Sequence, residues 1–184
     1  MKASSLRSLA TLAVVSLLAF APGCALESEY DPDEETDVDE TESENVDTIE
    51  LGLTGAFDGT AETTQAGRIN RRRERLGRRK LNRRTCLNTV ARRWSAKMAS
   101  NNTLAHNPNL AAQVSNKCGA VGLRWRGLAE NVGVGFSELS VWQAFIDSSA
   151  HRANIDKAAW DSMGIGIYKR SDGKMFFTQV FADF

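Results

Sequence analysis

Apolar residues recur at helical spacing in residues 87–99, "LNTVARRWSAKMA", where Leu87, Val90, Ala91, Trp94 and Met98 stand at i, i+3, i+4, i+7 and i+11. Arg92, Arg93 and Lys97 fall on the opposite side, so the stretch predicts an amphipathic helix. Residues 138–146, "ELSVWQAFI", repeat the pattern with Leu139, Trp142, Phe145 and Ile146. Ser137 is the natural N-cap. Residues 69–81, "INRRRERLGRRKL", are poorer in apolar residues, but Ile69 and Leu76 lie seven apart and predict a further helix that ends near Gly77. The period then shortens. "MGIGIYKR" and "KMFFTQVFADF" alternate small or polar residues with Ile, Phe and Val around "SDG", which predicts a β-hairpin over 163–182. "AENVGVG" (129–135) is one more candidate strand, its glycines permitting close backbone approach. Helices first and antiparallel strands last make an α+β domain.

The N-terminus follows other rules. "LATLAVVSLLAFA" behind Lys2 and Arg7 is too short to span a bilayer comfortably and has no stop-transfer pattern, so residues 1–23 are expected to be an export signal. "APGC" places Cys24 where a bacterial lipoprotein carries its lipid, although Pro22 and Ala21 fit that pattern poorly. The expected destination is the cell envelope, as a lipoprotein, or the extracellular space. With Cys24 set aside, Cys86 and Cys118 form a pair, which in an oxidising compartment suggests one disulfide; two unpaired buried thiols are the alternative.

Charge divides the chain. The formal net charge is zero, yet residues 27–50 hold 13 acidic residues and no basic one, while 68–93 hold 12 basic residues and only Glu74 as acid. The acidic stretch cannot bury enough apolar surface to offset its ordering entropy. Residues 24–67 are therefore expected to be a disordered linker, and 68–184 the folded domain. The basic run reads either as a solvated helix face, partly neutralised by the acidic stretch, or as a surface for lipid phosphate or acidic polysaccharide; nucleic acid is not an expected partner of an exported protein. Trp94, Trp125, Trp142 and Trp160 are expected in the core or lining a cleft rather than stacking on a ligand.

Several segments together resemble the CAP superfamily of cysteine-rich secretory proteins, antigen-five allergens and plant pathogenesis-related proteins, above all its short bacterial members. They are "IN..R...G" (Ile69, Asn70, Arg73, Gly77), "LNTVARRWSAKMA", His106, "AENV", "SSAHRANI" (148–155), "MGIGI" and "FTQVF", in family order from about residue 69 to the end. The resemblance implies a three-layer α–β–α sandwich of the CAP/SCP type, closed by the C-terminal hairpin, with two histidines and two glutamates facing a cleft. Position by position these are His106, His151 and Glu130. The second acid, expected some ten residues after the first histidine, has no counterpart, because "NPNLAAQVSNKCGAVGLRWRG" contains no Asp or Glu. Ala150 and Phe145 also replace the glycine and tryptophan common in the family.

The chemistry of this trio can be stated without the family. Neutral imidazoles bind Zn²⁺ well, and a catalytic zinc uses three protein ligands and a water, which His106, His151 and Glu130 could provide. Glu130 could instead orient one imidazole, or act as base on a bound water. A hydrogen-bonded network that pins loops is the plainer alternative. Ser148 and Ser149 are expected to end or cap a helix, since no nucleophile elbow is present. The expectation is a monomeric exported protein whose His106–Glu130–His151 site binds a divalent metal, zinc or another, and an envelope or extracellular ligand, lipid among the candidates. A metal-dependent hydrolase acting on extracellular substrates is the alternative.

Overall fold

A computed structural model describes residues 54–184 and, upstream, the backbone of Ala25–Leu26. The described residues form five helices and six strands, in the order β1 (Ala25–Leu26), β2 (Gly55–Phe57), α1 (Gly59–Arg75), β3 (Asn82–Arg83), α2 (Thr85–Ser100), α3 (Leu110–Gly119), β4 (Gly127–Gly135), α4 (Glu138–Asp147), α5 (Ser149–Asp156), β5 (Ser162–Arg170) and β6 (Met175–Asp183). The strands form one sheet in the order β1-β4-β6-β5-β2, antiparallel along that path, with β3 pairing parallel to the start of β5. The expected signal at 1–23, the lipid site at Cys24 and the acidic run at 27–50 lie outside the described residues.

The alternation of the strands sorts the layers. On one face Leu128, Val180 and Ala182 pack with Leu87, Val90 and Ala91 of α2 and Leu110 and Val114 of α3. On the other, Ile165, Ile167, Phe177 and Phe181 pack with Ile69 of α1, Trp142 and Phe145 of α4 and Ile155 of α5. This is an α–β–α sandwich with both faces of the long strands buried. α2 sits very close to β5: a Cβ on Gly164 or Gly166 would come within 2.2 Å or 2.3 Å of the backbone of Leu87 or Ala91. Glycine at those two positions lets helix and sheet backbones approach. Cys86 at the start of α2 and Cys118 near the end of α3 are joined by a disulfide with a Cα–Cα distance of 5.2 Å, within the usual range.

The helix ends follow their local signals. Ser137 Oγ accepts the Ser140 N–H at the start of α4. α1 closes in a Schellman motif: the Gly77 N–H donates to Glu74 O and the Arg78 N–H to Arg73 O, with Gly77 at φ +64°. Because α1 stops there, Leu76 does not continue the face of Ile69. Ile69 is fully buried and Leu76 is exposed.

One boundary needs correction. The linker expected to run to residue 67 is folded from residue 54 onward: β2 pairs with β5, and α1 begins at Gly59, N-capped by Asp58 Oδ1 accepting from the Ala61 N–H at 2.9 Å. The buried face of its first half is Ala61, Glu62, Gln65 and Ala66, two small and two polar residues, so it carries no apolar period. Glu62 is wholly buried because it finishes the sheet edge. Its Oε1 accepts from the Ile167 N–H (3.3 Å) and Arg92 Nε (2.8 Å), and its Oε2 from Arg83 and Arg92 (2.7 Å each). Asn88 Oδ1 does the same for the Ile165 N–H at 3.0 Å. Within the same stretch of expected linker, Ala25–Leu26 pair with Leu128 and Ala129 of β4.

The basic run is likewise more than a solvated face. Arg73 is fully buried and serves backbone carbonyls: Nε donates to Arg79 O (2.9 Å), Nη1 to Ile155 O (2.8 Å) and Lys157 O (2.9 Å), and Nη2 to Trp160 O (3.4 Å). Arg72 pairs with Asp156 and Arg68 with Glu138. The arginines thus tie α1 to α4, to α5 and to the turn that follows α5. Of the tryptophans, Trp142 and Trp160 are buried, while Trp94 and Trp125 are partly so.

Candidate functional site

His106 lies in the segment between α2 and α3, Glu130 in β4 and His151 in the first turn of α5. Successive side chains of a strand point to opposite faces. Glu130 is therefore turned toward the α2–α3 layer and meets His106, whereas Asn131 is turned toward the α4–α5 layer and meets the backbone of His151. The three elements converge at β4, whose partner on this side, β1, covers only Leu128 and Ala129.

The firm contact is between His106 and Glu130. Glu130 Oε1 accepts from His106 Nδ1 at 2.9 Å and from the Asn107 N–H at 2.9 Å. A carboxylate accepting at Nδ1 fixes the proton there in the neutral ring, so that Nε2 carries the lone pair. Glu130 is 3% exposed and the His106 side chain 45%, so a buried anion holds a half-open imidazole. Glu130 Oε2 is buried and has no hydrogen-bond partner among the described residues.

The surroundings fix this pair. Asn107 Nδ2 donates to Gln113 Oε1 (3.0 Å) and Asn107 Oδ1 accepts the Asn109 N–H (3.0 Å), which ties the His106 segment to the start of α3. Ser148, the C-cap of α4, is also the N-cap of α5 and accepts the His151 N–H at 3.5 Å. It caps a helix as expected, through the backbone N–H of His151. Asn131 Nδ2 donates to His151 O (3.1 Å) and to Gln179 Oε1 (3.0 Å), and Asn154 Nδ2 donates to Asn131 Oδ1 (3.0 Å). Gln179 Nε2 continues to Gln65 Oε1 at 2.8 Å. A buried chain of amides thus runs from the backbone of α5 through the sheet to α1. Sequence reading missed it, although "EN" inside an otherwise apolar strand puts one polar side chain on each buried face.

The surroundings push the two imidazole pKa values in opposite directions. Hydrogen bonding to Glu130 is the main cause that raises His106 above its ordinary pKa of 6.5; burial opposes it and the Glu130 charge adds to it. Burial is the main cause that lowers His151 below 6.5, and the charge of His106 adds to it. The His151 ring packs against Phe145, centroids 5.2 Å apart, and makes no hydrogen bond among the described residues. The histidines therefore share one electrostatic neighbourhood, but the Glu130 carboxylate engages only His106. Among the described residues no three His, Cys, Asp or Glu side chains are grouped to hold a metal ion. A three-ligand centre of His106, His151 and Glu130 does not fit. What fits is Glu130 behind His106, with His106 Nε2, the two ring nitrogens of His151 and Glu130 Oε2 left over.

A family model described as CAP, the cysteine-rich secretory protein family, matches residues 66–181. No curated protein matches the sequence. Among solved structures the chain is similar to an outer surface protein from Borrelia burgdorferi, with 18% identity and a TM-score of 0.62 over 71% of this chain and 98% of that one. It is also similar to an extracellular protein containing an SCP domain from Bacillus anthracis (20% identity, TM-score 0.59, 69% of this chain) and to a cysteine-rich secretory protein from Staphylococcus aureus (16%, 0.55, 68%). The chain spans only 41% and 38% of the length of those last two proteins. At these identities the likeness carries the fold.

Proposed function

The chain belongs to the CAP family, the cysteine-rich secretory protein family, and on that premise we propose that it is an exported binding protein in which His106 and His151 hold a divalent ion, zinc by their chemistry, beside an extracellular ligand. The observation that carries this reading is the buried Glu130 carboxylate on His106 Nδ1. A carboxylate on the far nitrogen is the arrangement that orients a metal-binding imidazole and raises its basicity. His151, depressed by burial, is neutral at neutral pH and so has a free lone pair. Two imidazoles favour zinc over magnesium, which prefers oxygen ligands. Solvent or ligand atoms would complete the coordination. The hydrolase alternative has weaker support, because no Asp or Glu lies between His106 and Glu130 to supply a second carboxylate.

Export is supported by the apolar N-terminus, by the Cys86–Cys118 bridge, which needs an oxidising compartment, and by the surface or extracellular descriptions of the Borrelia and Bacillus proteins. No helix of the described residues is long and apolar enough to cross a membrane. Attachment through a lipid on Cys24 is the envelope form of the proposal, read out by mass spectrometry of the mature N-terminus.

Calorimetry with Zn²⁺ on the purified full-length protein tests the site. One ion per chain is expected, with affinity that weakens on acidification as protons compete for the imidazoles. His106→Ala and His151→Ala should each weaken binding at least roughly tenfold. Unchanged affinity in both variants refutes the metal site and leaves the trio as a structural network.

A further inference from the structure

The basic run has a remainder that the fold does not use. Arg68, Arg72, Arg73 and Arg79 are engaged with Glu138, Asp156 and backbone carbonyls. The side chains of Arg71 and Arg75 have no hydrogen bond or ion pair among the described residues, and both residues are exposed. They lie four residues apart on α1, on one face, with Cβ atoms about 5–6 Å apart. Beside them is a hollow of about 400 Å³ lined by Arg68, Arg71, Glu74, Arg75 and Trp142. Its size falls in the lower range of small-molecule sites.

We propose that this hollow between α1 and α4 is a second binding site, distinct from the histidines, that takes a phosphorylated sugar or polyol. Two unpaired guanidiniums on successive turns of one helix face repel each other and, being on long side chains, can both turn onto a single tetrahedral oxyanion, each offering a two-pronged donor. Arg68 adds a third cation. Its Nε is committed to both oxygens of Glu138, at 2.9 and 3.1 Å, while its terminal nitrogens have no hydrogen bond among the described residues. Gly67 helps by having no side chain, because a Cβ there would lie 3.2 Å from Arg71 Nη1. The remaining lining matches the rest of such a ligand. Glu74, half-exposed and paired with Lys80 at 2.8 Å, can accept from a hydroxyl, and the small exposed part of the largely buried Trp142 can stand as a wall beside a carbon skeleton. A bare inorganic anion would use the arginines alone and leave that wall unfilled.

The phosphate can come from a soluble sugar phosphate or from the headgroup of an anionic lipid, and the test separates them. Calorimetry on the full chain uses glucose 6-phosphate, glucose and inorganic phosphate, and sedimentation uses phosphatidylglycerol vesicles against phosphatidylcholine vesicles. Glucose 6-phosphate is expected to bind more tightly than inorganic phosphate, and glucose not at all. Arg71→Gln/Arg75→Gln should weaken binding by roughly tenfold for each guanidinium lost. Lys97→Gln/Lys169→Gln, which removes the same charge from exposed positions elsewhere, should leave it unchanged. Binding of vesicles without binding of the soluble compound assigns the phosphate to a lipid headgroup, and the reverse assigns it to a soluble ligand. The proposal is overturned if none of the phosphate probes binds, if the arginine variant binds as the wild type does, or if the lysine variant loses as much as the arginine variant.

Discussion

Replacing Arg73 by Met keeps much of the aliphatic volume and removes one buried charge and four donated hydrogen bonds. Three of these are short, at 2.8–2.9 Å, to Arg79 O, Ile155 O and Lys157 O; the fourth, to Trp160 O, is long at 3.4 Å. At about 1.5 kcal/mol for a hydrogen bond from a charged donor, the short three amount to roughly 4–5 kcal/mol. Burial opposes the charge, lowering the Arg73 pKa from its ordinary value, and removing the guanidinium recovers part of that cost. A net loss of about 3 kcal/mol is expected, a large fraction of the roughly 5–15 kcal/mol that holds a domain together. Urea unfolding should show a lower midpoint with an unchanged slope, and Arg73→Lys, which keeps the charge but not the fork, should fall between. Because the lost partners lie at the end of α5 and just after it, the imidazole resonances of His151 should move too. A loss below about 1 kcal/mol in Arg73→Met would refute the reasoning, since a single ordinary hydrogen bond contributes that much.

In metal-free protein, Glu130→Gln should return the His106 pKa toward 6.5, measured by proton NMR titration. The sign follows from the shifts: raised in the fold, wild-type His106 stabilises below pH 6.5, and that stabilisation is lost as pH rises through its folded pKa; lowered in the fold, His151 stabilises above 6.5, and that is lost as pH falls. Stability of the wild type should thus decline on both sides of the histidine range and that of Glu130→Gln on the acid side alone; a decline in the variant above pH 6.5 equal to the wild type's contradicts this. Removing the Cys86–Cys118 bridge, which joins residues 32 apart, should lower stability by about 3–4 kcal/mol in chemical denaturation; a change within about 0.5 kcal/mol would mean the unfolded chain gains little freedom. Gly166→Ala should lower the thermal midpoint through a clash with α2, costing about 1–3 kcal/mol, whereas an unchanged midpoint would show that helix and sheet can separate freely.

The elements that could be read from the sequence are those whose buried face is apolar and periodic. α2 and α4 show Leu87, Val90, Trp142 and Phe145 at helical spacing, and the β5–β6 hairpin alternates around a glycine turn, so a local pattern sufficed. α3 and the first half of α1 were not visible in that way. α3 buries only Leu110, Val114 and Cys118, and the start of α1 buries Glu62 and Gln65, which pack by hydrogen bonding to strands and arginines far along the chain. The arginine run shows the same limit. Nothing local distinguishes Arg73, fully buried among carbonyls of residues 155–160, from Arg71 two positions earlier, exposed beside a hollow.

His106, Glu130 and His151 could be singled out as candidates from the sequence, because only two histidines exist and the ordered motifs around them resemble one family, while the pairing of Cys86 with Cys118 over two free thiols needed the fold. The roles of the three site residues also required the tertiary structure. Alternation in β4 sends Glu130 to one face of the sheet and Asn131 to the other, so the carboxylate reaches His106 while His151 is held by its backbone. That difference of environment, a buried anion at one imidazole and an apolar ring at the other, drives the two pKa values in opposite directions. Residue identity fixes which groups can ionise, but the energy of each charge depends on the partners and solvent around it, and only the folded chain brings those together.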